Sequence, residues 1–172
     1  MCGPYTGSAV SHGSYPINHV GVSVPDLDKA IEWYNSVLGF HKLREPSFVD
    51  RTIVPDAGAF HVYPASLQKL RIGFLSTGNG VGFELFQFVE PSTKEGDEAN
   101  FEKTYTRGGY FHIAITVPDC DETINKIVAN GGRLVGKSVP LFDEFQAAYV
   151  TDPWGNVIEL ITGSFERIMS NR

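Results

Sequence analysis

The stretch HVGVSVPDLDKAIEWY that begins at His19 returns without a gap as HIAITVPDCDETINKI beginning at His112. A chain that carries one segment twice, 93 residues apart, is built from two copies of a supersecondary unit, and its fold must place both copies equivalently. Within the alignment His19 matches His112, Pro25 matches Pro118, Asp26 and Asp28 match Asp119 and Asp121, and Ile31 matches Ile124. Further on, Gly39 matches Gly132.

Each copy opens with alternating residues and switches at its Pro-Asp pair to helical spacing, which predicts a strand followed by a helix. Asp26 and Asp119 are suited to accept the unpaired backbone N–H groups of a helix start. Ala30, Ile31, Tyr34 and Leu38 then make one apolar stripe, and Thr123, Ile124, Ile127 and Val128 repeat it. Gly39 and the run Asn130-Gly131-Gly132 supply the residue types that end helices. Strand-like segments follow at 40–44, 70–76 and 81–89, then at 133–136, 146–151 and 156–162. Each half thus reads βαβββ, and the fold class is α+β with two tandem modules. Gly78-Asn79-Gly80 and Asp152-Pro153-Trp154-Gly155-Asn156 supply the reversals before the last strands.

VGFELFQF and NVIELIT close their halves, and each sets one glutamate in an apolar run, which pairs Glu84 with Glu159. Their offset is 75 residues, so the first half holds 18 residues more than the second. Pro46, Pro55, Gly58 and Pro64 place that surplus in a long loop over 46–68, a length that is usually functional or mobile. The expected organisation is a flexible leader over 1–16, a first module over 17–107, a second over 108–163 and a tail over 164–172.

Composition narrows the classes. Of 172 residues, 42% are hydrophobic and 20% charged, enough for a core, and no apolar run approaches the ~18 residues of a membrane helix. A formal charge of -6 disfavours nucleic-acid phosphates and anionic lipid as partners. With only Cys2 and Cys120, no disulfide framework or cysteine metal site is expected, which fits a reducing, cytoplasmic setting. The first 16 residues are rich in Gly, Ser, Pro and Tyr, carry His12, and lack the pattern of a secretory signal.

Side chains alternate along a strand, so His19 shares a face with Gly21 and Ser23, while Val20, Val22 and Val24 point the other way. His112 likewise shares a face with Ala114 and Thr116, opposite Phe111, Ile113, Ile115 and Val117. Small residues leave room for a small-molecule ligand, and the large apolar set supplies a core. A carboxylate in an apolar strand is costly to desolvate unless it is paired or holds a metal, and two at equivalent positions call for a shared partner. Imidazole and carboxylate suit zinc, nickel, iron, manganese or cobalt, with positions left for water or substrate. Taken singly, each histidine has a plainer account as a hydrogen-bonded core residue, and each glutamate as an ion-paired or solvent-facing one. As a matched quartet, His19, Glu84, His112 and Glu159 are read as ligands of one divalent ion. His41, His61 and Asp152 receive no role, and Trp33 and Tyr34 are read as helix packing.

These residues resemble the vicinal oxygen chelate superfamily, which includes glyoxalase I, methylmalonyl-CoA epimerase, the extradiol dioxygenases and the bleomycin and fosfomycin resistance proteins. The likeness runs from Ile17 to Gly163 and rests on INHVGVSVPDLDKAIEWYNSVLGF, GFELFQF, GGYFHIAITVPD and DPWGNVIELIT. It implies two modules forming an open, cupped mixed sheet, with the metal bound by the first and last strands of each. The complete quartet is most similar to glyoxalase I, because the dioxygenases lack a ligand at the place of Glu84.

That resemblance implies a metal-dependent lyase or isomerase that moves a proton next to a metal-bound carbonyl through an enediolate. Glu159 is then the first choice of base and Glu84 the second, and a homodimer is expected, with the site inside one chain or across two. One position departs: glyoxalase I usually has an arginine four residues after its first histidine, and here Ser23 stands there. A glutathione carboxylate would need Arg44, Arg51 or Lys69 instead. Phe48, Phe60, His61 and Tyr63 in the long loop suggest a partly hydrophobic substrate, or equally an anchoring of the loop on the core. The rival functions are an iron oxygenase on the same scaffold and a binding or resistance protein without chemistry.

Overall fold

Helix α1 (Leu27–Leu38) starts where the Asp26 side chain accepts the backbone N–H of Lys29 at 3.1 Å, and it stops at Gly39, whose φ of 73° is open to a residue without a Cβ. Helix α4 (Cys120–Ala129) repeats the start, with Asp119 accepting from the Glu122 N–H at 2.8 Å. The computed structural model describes residues 15–94 and 101–170, the side chains of 103 and 104 excepted. The expected leader therefore lies almost wholly outside the described residues. No helix among the described residues is long and apolar enough to cross a membrane.

In the first module, β1 (His19–Ser23) lies parallel to β4 (Gly82–Glu90), which pairs antiparallel with β3 (Lys69–Ser76), and β3 with β2 (His41–Asp50). The second module repeats this with β5 (Ile113–Thr116), β8 (Val157–Ile161), β7 (Phe145–Thr151) and β6 (Arg133–Leu141). The spatial orders are β1-β4-β3-β2 and β5-β8-β7-β6, so each module is an open mixed sheet with its N-terminal strand at one edge.

One apolar core spans both modules. Leu27, Ala30, Trp33 and Tyr34 of α1 and Leu75, Phe83 and Leu85 of the first sheet share it with Ile124 and Ile127 of α4 and Val150, Ile158 and Leu160 of the second. Full burial of each Leu, Ile, Val or Phe among them is worth roughly 1.5–3 kcal/mol. Polar bonds bridge the halves as well: Tyr34 donates its hydroxyl to Asp152 Oδ2 at 2.7 Å, and Trp33 Nε1 donates to the Asn130 carbonyl at 2.8 Å. The core therefore lies on the helix side of each sheet, and the faces carrying His19, Gly21 and Ser23, and Ala114 and Thr116, are exposed.

Several local expectations change. Strand β2 continues to Asp50 through Pro46, past the expected end at 44, because register shifts around Arg44 absorb the proline on an edge strand. The loop is accordingly shorter, 51–68, and contains the single-turn helix α2 (Ala59–Val62). Strand β6 likewise runs beyond 136, over a register shift that Gly136 accommodates at φ 69°. The α4 stripe is rotated toward Cys120, which is fully buried, leaving Val128 49% exposed. Besides α2, two further short helices were not foreseen: α3 (Phe101–Thr104), and α5 (Phe165–Met169), whose Ile168 is buried against Phe145 and Ile161.

Candidate functional site

The parallel register of β1 and β4 sets Gly21 opposite Glu84 and His19 opposite Gly82. A Cβ at Gly82 would stand 3.1 Å from that of His19, so the glycine leaves His19 room beside the strand. The result is an imidazole turned toward its neighbour's carboxylate, with His19 Nε2 3.3 Å from Glu84 Oε2. His19 Nδ1 lies 2.8 Å from Asn18 Oδ1, an acceptor that favours a proton on Nδ1 and so leaves Nε2 for a ligand role.

The second module reproduces the arrangement. His112 sits one residue before β5, the register sets Ala114 opposite Glu159, and His112 Nε2 lies 3.2 Å from Glu159 Oε2. This pair is more enclosed, with side chains 24% and 18% exposed against 48% and 26% for the first. Its walls are aromatic: the rings of Phe111 and Tyr149 stand edge-on to His112, 4.5 and 5.3 Å between centroids. Among the described residues, buried His112 Nδ1 has no hydrogen-bond partner. Tyr149 lies opposite Glu159 in β7, and burial, with the Glu159 carboxylate beside it, holds its phenol above the ordinary value.

The donor set fits a divalent ion as two half-sites. Ligand atoms about 2.1 Å from an ion and at right angles to each other stand about 3 Å apart, close to both Nε2–Oε2 separations. The four residues do not converge on one point within the chain, since no group of three or more His, Cys, Asp or Glu capable of holding an ion occurs among the described residues. The physical reason is the shared core: it binds the modules by their helix sides, so each half-site looks outward, beside an edge strand with no partner on its outer side among the described residues.

Two cavities are present, neither lined by a residue of the quartet. One of about 270 Å³ is lined by Ser23, Tyr63, Leu67, Phe88, Thr93 and Lys94, and one of about 470 Å³ by Phe101, Tyr105, Val135, Lys137, Val139 and Tyr149. Of the aromatics expected in the loop, Phe60 is buried with Leu67 and Leu70, and Tyr63 packs on Phe88, so these two anchor the loop; His61 is exposed, and Phe48, also exposed, belongs to β2 instead. His41 lies across the sheet from His19, beside Ser76. Asp152, read as a turn residue, accepts from the Trp154 and Asn156 backbone and also from Tyr34 across the modules. Asn18, Tyr149 and the Arg44–Phe74 pair went unnoticed in the sequence as neighbours of the quartet. For the last two, strand register is the signal that would have found them.

A family model described as the Glyoxalase/Bleomycin resistance protein/Dioxygenase superfamily matches residues 16–160. The chain is 32% identical over 149 residues to a probable lactoylglutathione lyase of Vibrio cholerae, covering 86% of this chain and 91% of that one. It is 29% identical over 158 residues to a 2-epi-5-epi-valiolone epimerase of an Actinomyces species, covering 87% and 80%. Among solved structures, a glyoxalase family protein from Bacillus cereus superposes with a TM-score of 0.69 at 22% identity, over 89% of this chain and 97% of that one, a likeness of fold. A trypanothione-dependent glyoxalase I of Leishmania major superposes with a TM-score of 0.56 at 26% identity, over 86% of each chain.

Proposed function

Because the chain belongs to the glyoxalase/bleomycin resistance protein/dioxygenase superfamily, we propose that it is a divalent-metal-dependent lyase or isomerase that moves a proton next to a carbonyl group of a small molecule. The observation that carries this reading is the pair of equivalent His–Glu contacts, 3.3 and 3.2 Å, each on an open sheet face. Relatives named as lyases and as an epimerase support the same reaction class.

In this reading His19 and Glu84 of one chain and His112 and Glu159 of a second hold a single ion, and the edges of β1 and β5 meet across a homodimer. Exposed sheet edges of this kind are ordinarily covered, which supports the assembly. What a divalent ion supplies when bound is Lewis acidity at a carbonyl oxygen, which stabilises the negative charge developing as an adjacent C–H is deprotonated. Glu159 takes that proton on a carboxylate oxygen and returns it from the same oxygen to the neighbouring carbon, and Glu84, facing the substrate from the other module, is the second choice of base. Tyr149 and Phe111 wall the base from water, and Asn18 orients His19.

The test is elemental analysis of protein purified without chelator, alongside His19→Ala, followed by a screen of hydroxy-carbonyl, dicarbonyl and hemithioacetal substrates. About one zinc, nickel, manganese or cobalt per chain, lost in His19→Ala, together with isomerase or lyase turnover, is the expected outcome. Iron with oxygen uptake would replace the reading by an oxygenase, and failure to take up any metal would defeat it.

A further inference from the structure

Arg44 stands between two register shifts, one after Lys42 and one before Ser47. Bulges re-aim the side chains beside them, and here the Arg44 guanidinium lies over the Phe74 ring, its Cζ 3.9 Å from the centroid. Arg44 pairs with Phe74, and Phe74 with Glu84, so all three share the face of the first half-site. With neighbouring strands about 4.8 Å apart, a guanidinium above Phe74 lies about one strand spacing from the Glu84 strand. The second module has no such group, because Val135 occupies the corresponding place beside Tyr149 and Glu159.

The other cations of the first sheet and its loop are committed. Lys42 pairs with Glu45 at 2.7 Å, Lys69 with Glu90 at 3.1 Å and Asp50 at 3.8 Å, and Arg71 grips Asp28 through two hydrogen bonds of 2.8 and 2.9 Å. Arg51 donates from Nε to the Leu67 carbonyl and lies over Phe60. Arg44, in contrast, has no carboxylate within ion-pair distance among the described residues. It is a planar fork of donors, steadied on one face by a ring and exposed. A charge that served only to guard an edge strand would gain nothing from two bulges that fold it back beside the site.

We infer that Arg44 receives an oxyanion of the ligand, a carboxylate or a phosphate, one strand away from Glu84, so that the substrate is an anionic hydroxy- or dicarbonyl compound. The carbonyl half of this statement rests on the proposed function; the anion site stands on the Arg44–Phe74 geometry alone. The test is calorimetric titration of the protein as purified with inorganic phosphate and, separately, with S-methylglutathione and succinate, in the wild type, Arg44→Gln and Arg44→Lys. Binding of at least one of these probes, weakened about tenfold or more in Arg44→Gln and partly restored in Arg44→Lys, is expected for a bidentate charge-assisted contact. A response to phosphate alone assigns a phosphorylated ligand, and one to the carboxylates alone an organic acid; either supports the inference. Equal affinity in wild type and Arg44→Gln, or no binding of any probe, overturns it. Arg44-dependent binding in a protein that takes up no metal would leave the anion site standing while the proposed function fell.

Discussion

Tyr34 and Asp152 meet across the two modules, phenol to carboxylate at 2.7 Å, with both side chains buried. The phenol is held well above its ordinary value, chiefly by burial and then by the Asp152 charge, so it remains a donor. Tyr34→Phe would leave the carboxylate short of one partner in a dry interior, and the expected loss of stability is about 1–3 kcal/mol. Urea unfolding checks it; a loss below a few tenths of a kcal/mol would mean that the backbone donors of the turn suffice.

Asp152 also makes stability depend on pH with an uncommon sign. Burial raises its carboxyl above the ordinary 3.8, outweighing the hydrogen bonds from Asn156, Tyr34 and Trp154, which lower it. A carboxyl that binds its proton more tightly when folded contributes stability that is fully present below 3.8 and is lost as the pH rises through the folded value. The wild type should therefore gain melting temperature relative to Asp152→Asn as the pH falls from about 7 to about 4. The reverse slope would show that the hydrogen bonds outweigh burial.

Glu159→Gln keeps the size and shape of the side chain and removes the proposed base. Turnover should fall about 10²–10⁴-fold while the melting temperature stays near that of the wild type. Full activity in this variant would take Glu159 out of the proton transfer.

Assembly across two chains has a consequence that a site within one chain lacks. His19→Ala and His112→Ala should each be inactive alone, yet after mixing and subunit exchange about a quarter of wild-type activity should return, since each mixed dimer regains one intact site. No recovery from a mixture shown by mass spectrometry to contain heterodimers would place the site within one chain.

Cys120 begins α4 with no exposed surface, and burial, with Asp121 and Asp119 nearby, pushes its thiol up to about 11. In a Cys2→Ser background a thiol reagent at mildly alkaline pH should label the native protein only after denaturant is added. Rapid labelling of the folded chain would reveal local opening at the start of α4.

The repeat alone determined most of the local structure. Period-two runs ending in Pro-Asp made β1, α1, β5 and α4 legible, because capping and amphipathic spacing act within a few residues. The same repeat singled out His19, Glu84, His112 and Glu159, since two polar residues in equivalent apolar strands stand out without coordinates. Edges were misjudged where a short-range rule met a longer-range one: Pro46 reads as a stop, yet β2 passes through it on an edge strand, where a missing N–H costs little.

What only the tertiary structure decided is which residues share a neighbourhood. The pairing of Glu159 with Tyr149, the stacking of Arg44 over Phe74, and the Tyr34–Asp152 bridge each depend on strand register or module packing, which are set by the summed burial of many side chains and leave no mark at the positions themselves. The same packing turned the two half-sites outward. A sequence can single out four candidate ligands, but whether one chain brings them together depends on which faces of its modules the core consumes.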